Sequence, residues 1–314
     1  MAMTILRKEM NMLDILSLVW NMLPSTLMMA APILIAATGG MICERAGVVN
    51  IALEGLMVIG AMVAATTHVL LEDTITFSIP LAFLLAAIFG CLFSLIHAFA
   101  SITLRADQII SGTGINLLSL GITVFFCQLL FRSDRTHNFR MGMTTINGFH
   151  PTAWIALAIL IIVAFMLYKR PWGLRLRAAG EHPQALASAG VSVIKMRYTA
   201  VLISGILAGI AGASVVLTQD IQFTVTTING KGFIALAAVS FGRWLPLGIL
   251  GASFLFGFSS AMSVIFINFD QLRALPSEFF SLLPYLITLL ALVIFSGKDY
   301  APRAVGQPYD KGKG

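Results

Sequence analysis

Lys169 to Arg197 reads KRPWGLRLRAAGEHPQALASAGVSVIKMR, and it is the stretch that lipid cannot hold. Six of the chain's 20 Lys+Arg residues fall here (Lys169, Arg170, Arg175, Arg177, Lys195 and Arg197), against a single acid, Glu181. A charge at a bilayer centre costs about 3 kcal/mol or more. The segment therefore lies in water, and its basic excess assigns it to the cytoplasm. The sequence on both sides is apolar, so the fold class follows: an all-α polytopic membrane protein with a cytoplasmic segment set between its spans.

The segment carries its own helix punctuation. Gly180, Glu181 and His182 lead into Pro183, which suits a first helical position because its missing N–H would have no partner there. Gln184 to Ala189, with Ala187 among them, are mostly good helix formers, and Gly190 can take the left-handed conformation that ends a helix. Two turns are marginal alone in water, so packing must hold them. Two readings stay open from the residues: an ordinary cytoplasmic loop with one helical turn, or a short helix that docks on another protein.

Composition narrows the class. Of 314 residues, 58% are hydrophobic and 11% charged, where soluble domains average roughly 25% charged. The net charge of +6 is carried mainly by loops on one side, so it is no signal for nucleic acid. No short basic–apolar–small pattern marks a cleaved leader at the N-terminus. Cys43, Cys91 and Cys127 sit in or beside apolar runs and suggest neither a metal pair nor a disulfide framework.

Spans need roughly 20 apolar residues. They are expected at Pro24–Ile42, Ile51–Leu71, Phe77–Ala100, Ile109–Phe131, Thr152–Tyr168, Tyr198–Thr218, Gly232–Phe241 (short), Leu247–Phe269 and Phe280–Ser296. That makes about nine crossings, one of them broken, within a transmembrane domain over residues 24–297. Residues 1–23, interrupted by Arg7, Lys8, Glu9 and Asp14, are expected to form an interfacial segment, and residues 298–314 a cytoplasmic tail. With 169–197 inside, the inner segments carry 13 basic residues and the outer ones seven. The N-terminus is then outside and the C-terminus inside. Arg132, Arg135 and Arg140, left in the longest outer loop, are the weak point of this topology.

Two stretches break the apolar rhythm. ERAGVVNIALEG (Glu44–Gly55) separates the first two spans, and NGKGFIALAAVSFGRW (Asn229–Trp244) encloses a short apolar run between Gly pairs and Arg243-Trp244. Interrupted segments in corresponding halves point towards a transport pathway. Glu54 is the one acid placed within a span. It reads either as a substrate contact or as an anchor for broken-helix N–H groups; Asn50 and Asn116 join it as pathway candidates. SGILAGIAGA (Ser204–Ala213) repeats small residues every four positions, a spacing that lets membrane helices approach closely.

Reactive chemistry finds no support. There is no HExxH, GxSxG or CxxC, and the five histidines are scattered. Asn229-Gly230-Lys231-Gly232 lacks the Ser or Thr and the upstream glycine of a phosphate loop. No catalytic, metal or cofactor-binding residue is expected, and the chain has no visible means of using ATP itself.

Four motifs in order carry a resemblance. The chain resembles the permease subunits of bacterial ABC importers in the branched-chain amino acid/ribose permease superfamily, and within it the nucleoside (simple-sugar-type) branch. The motifs are ERAGVVNIALEG, LRADQIISGTGINLLSLGIT (Leu104–Thr123), WGLRLRAAGEHPQALASAGVSV (Trp172–Val193) and GKGFIALAAVSFGRWLPLGILGA (Gly230–Ala252). His182 departs from the pattern, which has Asn there.

The resemblance implies an importer in the bacterial cytoplasmic membrane. An extracytoplasmic binding protein would deliver a nucleoside, or as runner-up a simple sugar, and a second related permease would complete the pore. A cytoplasmic ATPase would consume Mg-ATP. The short helix, with Pro183, Gln184, Ala187 and Gly190, would seat on that ATPase, and Arg175, Arg177, Glu181 and His182 would flank the joint. The competing class is an ion-coupled secondary transporter.

Overall fold

The computed structural model describes the backbone of residues 12–267, 282, 286–287, 289–290, 293 and 300–310, with side chains from residue 22 to 264 and at those later positions. The described residues build ten helices: α1 Met12–Arg45, α2 Leu53–Leu71, α3 Ser78–Ala98, α4 Gln108–Phe131, α5 Pro151–Lys169, α6 Pro171–Glu181, α7 Pro183–Ser188, α8 Val193–Thr218, α9 Lys231–Phe241 and α10 Pro246–Ile267. A π-turn, Phe99–Thr103, extends α3.

Seven of these, α1 to α5, α8 and α10, are long and apolar enough to cross a membrane, and α9 is the short apolar helix. Nineteen residues of α2 rise about 28 Å at 1.5 Å per residue, close to a bilayer's hydrocarbon thickness. The expected ninth crossing, Phe280–Ser296, lies mostly outside the described residues. Residues 12–45 form a single helix with Pro24 and Pro32 inside it, and its membrane-competent part is Met22–Arg45.

Two layers follow from burial. The apolar windows of α1, α2 and α8 are 83%, 78% and 78% buried, while those of α3, α4 and α5 are 22–28% buried. The first three form the protein-lined centre; the others leave one side for lipid or a partner. The small-residue run of α8 makes this centre possible. A Cβ at Gly205 would meet Gly90 O of α3 at 2.6 Å, and one at Gly212 would meet Ala61 N of α2 at 2.8 Å. α8 is thus wedged backbone to backbone between α2 and α3, the close approach that its spacing predicts.

The loops sort onto two ends. At one end the 132–150 connection lies over α2 and α8: Arg140 pairs with Asp73 at 2.8 Å, and Met143 N–H donates to Leu217 O at 2.8 Å. His68 Nε2 contacts Met141 O at 2.7 Å. Arg140 is thereby placed beside the acids Glu72 and Asp73, which accounts for a basic residue at this end. At the other end Arg45, Arg105, Arg243, the α6–α7 hairpin and residues 300–310 come together.

Candidate functional site

The first interrupted stretch is a non-helical segment, residues 46–52, joining α1 to α2. Irregular backbone at membrane depth is tolerated only where protein or water satisfies its polar groups. Here side chains from two other helices do so. Val49 N–H donates to Gln108 Oε1 at 2.7 Å, and His97 Nε2 lies 3.0 Å from Val49 O. Asn116 Nδ2 donates to Ile51 O at 3.0 Å while its Oδ1 accepts Gly55 N–H at 2.8 Å. Asn50, fully buried, donates through Nδ2 to Ser204 Oγ of α8 at 2.8 Å. Asn50 and Asn116 are therefore braces of the segment.

The second interruption sits against the first. Residues 219–230 carry no helix, Asn229 (φ 47°) and Gly230 (φ 83°) turn left-handed, and α9 begins at Lys231. Glu54 Oε1 accepts Gly230 N–H and Oε2 accepts Gly232 N–H, both at 2.7 Å. A carboxylate at a helix N-terminus meets unpaired N–H groups and the positive end of the dipole. Of the two roles open to Glu54, these hydrogen bonds supply the anchor of a broken helix.

The far end of α9 is tied back as well. Trp244 Nε1 donates to buried Glu44, and the Arg45 guanidinium donates to Trp244 O at 3.0 and 3.2 Å. Trp244 takes φ 53° to make this turn. Replacing Trp244 with Phe removes the donor and strands a buried carboxylate, a change worth about 1–3 kcal/mol. We expect a clearly lower thermal midpoint for Trp244→Phe in detergent; an unchanged midpoint would show that Glu44 does not depend on this partner.

The two breaks enclose space. A cavity of about 470 Å³ lies beside Glu54, lined on one side by Ile51, Thr113 and Asn116 and on the other by Thr226, Asn229 and Phe233. Thr226 and Asn229 also line a second, polar pocket of about 430 Å³ with Asp220, Gln222 and Lys231. Lys231 Nζ donates to Thr227 O at 3.2 Å. Burial pushes the Asp220 carboxyl up, while Lys231 and a Thr227 hydrogen bond pull it down. Glu54 and Asn116 share the first cavity; Asn50 faces α8 instead. Sequence reasoning missed His97, Gln108, Asp220 and Asn229, whose roles depend on partners far away in the chain.

The basic segment 169–197 contains two helices, one more than expected. Pro171 opens α6 at its first turn, and Gly173, Leu176, Ala179 and Gly180 are buried along one face. His182 ends α6 and precedes α7, and its side chain caps neither. Pro183 opens α7, Leu186 is its buried residue, and Gly190 (φ 77°) closes it. Gln184 and Ala187 are half-buried; His182, Ala185, Ser188, Ala189 and Gly190 are exposed.

The expected flanking charges divide. Glu181 lies 3.9 Å from Arg45 and accepts Arg303 N–H at 3.4 Å, with its side chain still 39% exposed. Arg177 stacks over Tyr168 at 5.0 Å. Glu181 and Arg177 thus each meet a group within the protein, while Glu181 also edges the opening beside α7 and Arg175 is exposed.

Comparison with known proteins agrees with this architecture. The chain is 41% identical over 318 residues to the guanosine ABC transporter permease protein NupQ of Bacillus subtilis, covering 96% of this chain and all of the relative. It is 34% identical over 325 residues to the nucleoside ABC transporter permease protein NupC of Lactococcus lactis, covering 97% and 100%. A second Bacillus subtilis protein, the guanosine ABC transporter permease protein NupP, is 26% identical over 293 residues, covering 89% and 82%. Residues 22–292 match the family described as branched-chain amino acid transport system / permease component. With most of its length matched, seven membrane-competent helices and two interrupted segments packed on each other, the chain belongs to this family of transport permeases.

Proposed function

We propose that this chain is a transmembrane permease subunit of an ATP-driven importer of nucleosides in the bacterial cytoplasmic membrane. The observation that carries the cargo is the full-length similarity to two permeases named for guanosine and for nucleosides. The cavities suit such a cargo: amides and hydroxyls (Asn229, Gln222, Thr226) can hydrogen-bond an uncharged polar molecule, and Phe233 offers a surface for its flat base. The charges nearby already have partners, Glu54 on two backbone amides and Lys231 on Thr227 O.

On this reading the N-terminus is outside and the C-terminus inside, and an extracytoplasmic binding protein delivers the nucleoside. A second, related permease completes the pathway; the chain is similar to two guanosine permease proteins of one organism, NupQ and NupP. The exposed face of α7 (Ala185, Ser188, Ala189) seats on the cytoplasmic ATPase. Glu54 being committed to Gly230 and Gly232 argues against an ion-coupled carrier, which needs an acid free to bind its ion.

The test is the energy source and the competitor profile. In cells expressing the importer, labelled guanosine uptake is expected to survive a protonophore and stop on ATP depletion. Excess adenosine should compete, and ribose or galactose should not. The reverse energy dependence would overturn the importer reading; competition by the sugars would move the cargo to that class.

A further inference from the structure

Residues 300–310 run as a strap across the end of the molecule that carries α6 and α7. Ala304 N–H donates to Gly180 O at 2.8 Å, at the end of α6. Gln184 Nε2 of α7 donates to Asp310 O at 3.2 Å, and the Asp310 carboxylate pairs with Arg105, beyond α3, at 3.3 Å. Tyr300 lies under the Arg243 guanidinium at 4.6 Å, just after α9. Between these ties the Tyr309 ring packs on the cluster of Ala179, Leu186 and Val193, the same cluster that buries the one fully packed side chain of α7.

The strap also serves a buried cation. Arg197 is 1% exposed, and its described hydrogen bond runs from Nη1 to Gln307 O at 2.8 Å. A buried charge without compensating partners is expensive, so Arg197 resists withdrawal of the strap. A helix of six residues does not hold its own conformation in water. α7 therefore takes its position from what packs on it, and the strap is part of that packing. The strap and hairpin do not close flush: an opening of about 510 Å³ remains between them, edged by His182, Gln184 and Tyr309.

We propose that residues 300–310 and α7 together form the docking surface for the ATPase, with the strap fixing α7 against α6 and α8 and tying it to Arg105, and the opening receiving side chains of the ATPase. This rests on the importer reading above. The strap turns a short helix into a stiff lever. A push on α7 then reaches Arg105, Arg197 and Arg243, and so the ends of α3, α8 and α9.

The experiment uses the full importer, co-expressed and extracted in mild detergent. Tyr309→Ala is expected to cut uptake at least tenfold, to release the ATPase on extraction or abolish its stimulation by loaded binding protein, and to raise amide hydrogen exchange in α7. Tyr309→Phe, which keeps the ring, should match wild type. A chain ending at residue 299 should behave like Tyr309→Ala; if it fails to reach the membrane, the Tyr309 pair decides. Wild-type uptake and ATPase retention in Tyr309→Ala would overturn the proposal, as would unchanged exchange in α7. If wild type itself carried no ATPase, the importer reading would fall, and the exchange measurement alone would decide whether the strap fixes α7.

Discussion

Glu54→Leu is expected to abolish uptake and to lower the thermal midpoint of the permease. The two carboxylate oxygens accept the N–H groups of Gly230 and Gly232, both at 2.7 Å, where α9 begins inside the fold. Leucine fills much of the volume but offers no acceptor. A hydrogen bond to a charged group is worth about 1.5–3 kcal/mol, so losing the pair costs about 3–6 kcal/mol. The broken helix would then fray at its start, and the cavity wall formed by Asn229 and Phe233 would go with it. At equal membrane levels, uptake should fall more than 100-fold, since about 1.4 kcal/mol is a factor of ten.

Glu54→Gln separates anchoring from cargo contact. Glutamine keeps one acceptor oxygen but turns an amino group towards one of the two donors, so it should be intermediate in both uptake and thermal midpoint. If Glu54 met only the cargo, Glu54→Gln would change KM and leave the midpoint alone. A Glu54→Leu protein with wild-type midpoint and wild-type uptake would refute the anchoring role outright.

The second large effect concerns packing. Gly212→Leu is expected to leave no folded permease in the membrane. A Cβ at this position would lie 2.8 Å from both Ala61 N and Met57 C, in the backbone of α2, and Met57 O is nearer still. Backbone atoms cannot swing aside as a side chain can. Overpacking a core costs about 1–3 kcal/mol when neighbouring side chains absorb it, and here whole helices must separate. Gly209→Leu should fail likewise, because its Cβ meets Ala86 of α3.

Gly114 and Gly121 of α4 supply the control. A Cβ at either meets nothing within 4 Å, and leucine is a better helix former than glycine by nearly 1 kcal/mol. Gly114→Leu and Gly121→Leu should give wild-type yields and a monodisperse peak on size exclusion. Loss of all four variants alike would mean that glycine is needed in these helices for a reason other than α8 packing.

The strap test and the energy-source test address partners, whereas these two address the frame on which a partner acts. α8 needs its glycines because it is shared by α2 and α3. α9 needs Glu54 because a helix that starts within the fold has N–H groups that water does not reach. Both requirements fall on the central layer of α1, α2 and α8.

What the sequence determined by itself is whatever lipid reads locally. Apolar runs of 19 to 26 residues placed all seven long spans to within about five positions, because each segment is selected by its own transfer energy. The excess of Lys and Arg in 169–197 marked the segment outside the bilayer, and Pro183 and Gly190 marked the two ends of α7 by backbone restriction alone. The four-residue spacing in 204–213 announced close packing, though not against which helices. α6 escaped notice because Gly173 and Gly180 weaken its helix propensity, and packing on α5 and α8 supplies what propensity lacks.

Only the tertiary structure decided the roles of the polar residues. Glu54 meets its amides 176 and 178 positions away, and Trp244 meets Glu44 at a separation of 200. Asn116, a pathway candidate in the sequence, lines the cavity beside Glu54 and also braces Ile51 O and Gly55 N–H, which flank it in space. Glu181, expected to flank a partner, is also within reach of Arg45 and the strap. The reason is common to all of them. A hydrogen-bonding side chain in a membrane protein is assigned by the unsatisfied backbone group nearest to it in the fold, and that group lies wherever a helix breaks, not wherever the chain is adjacent.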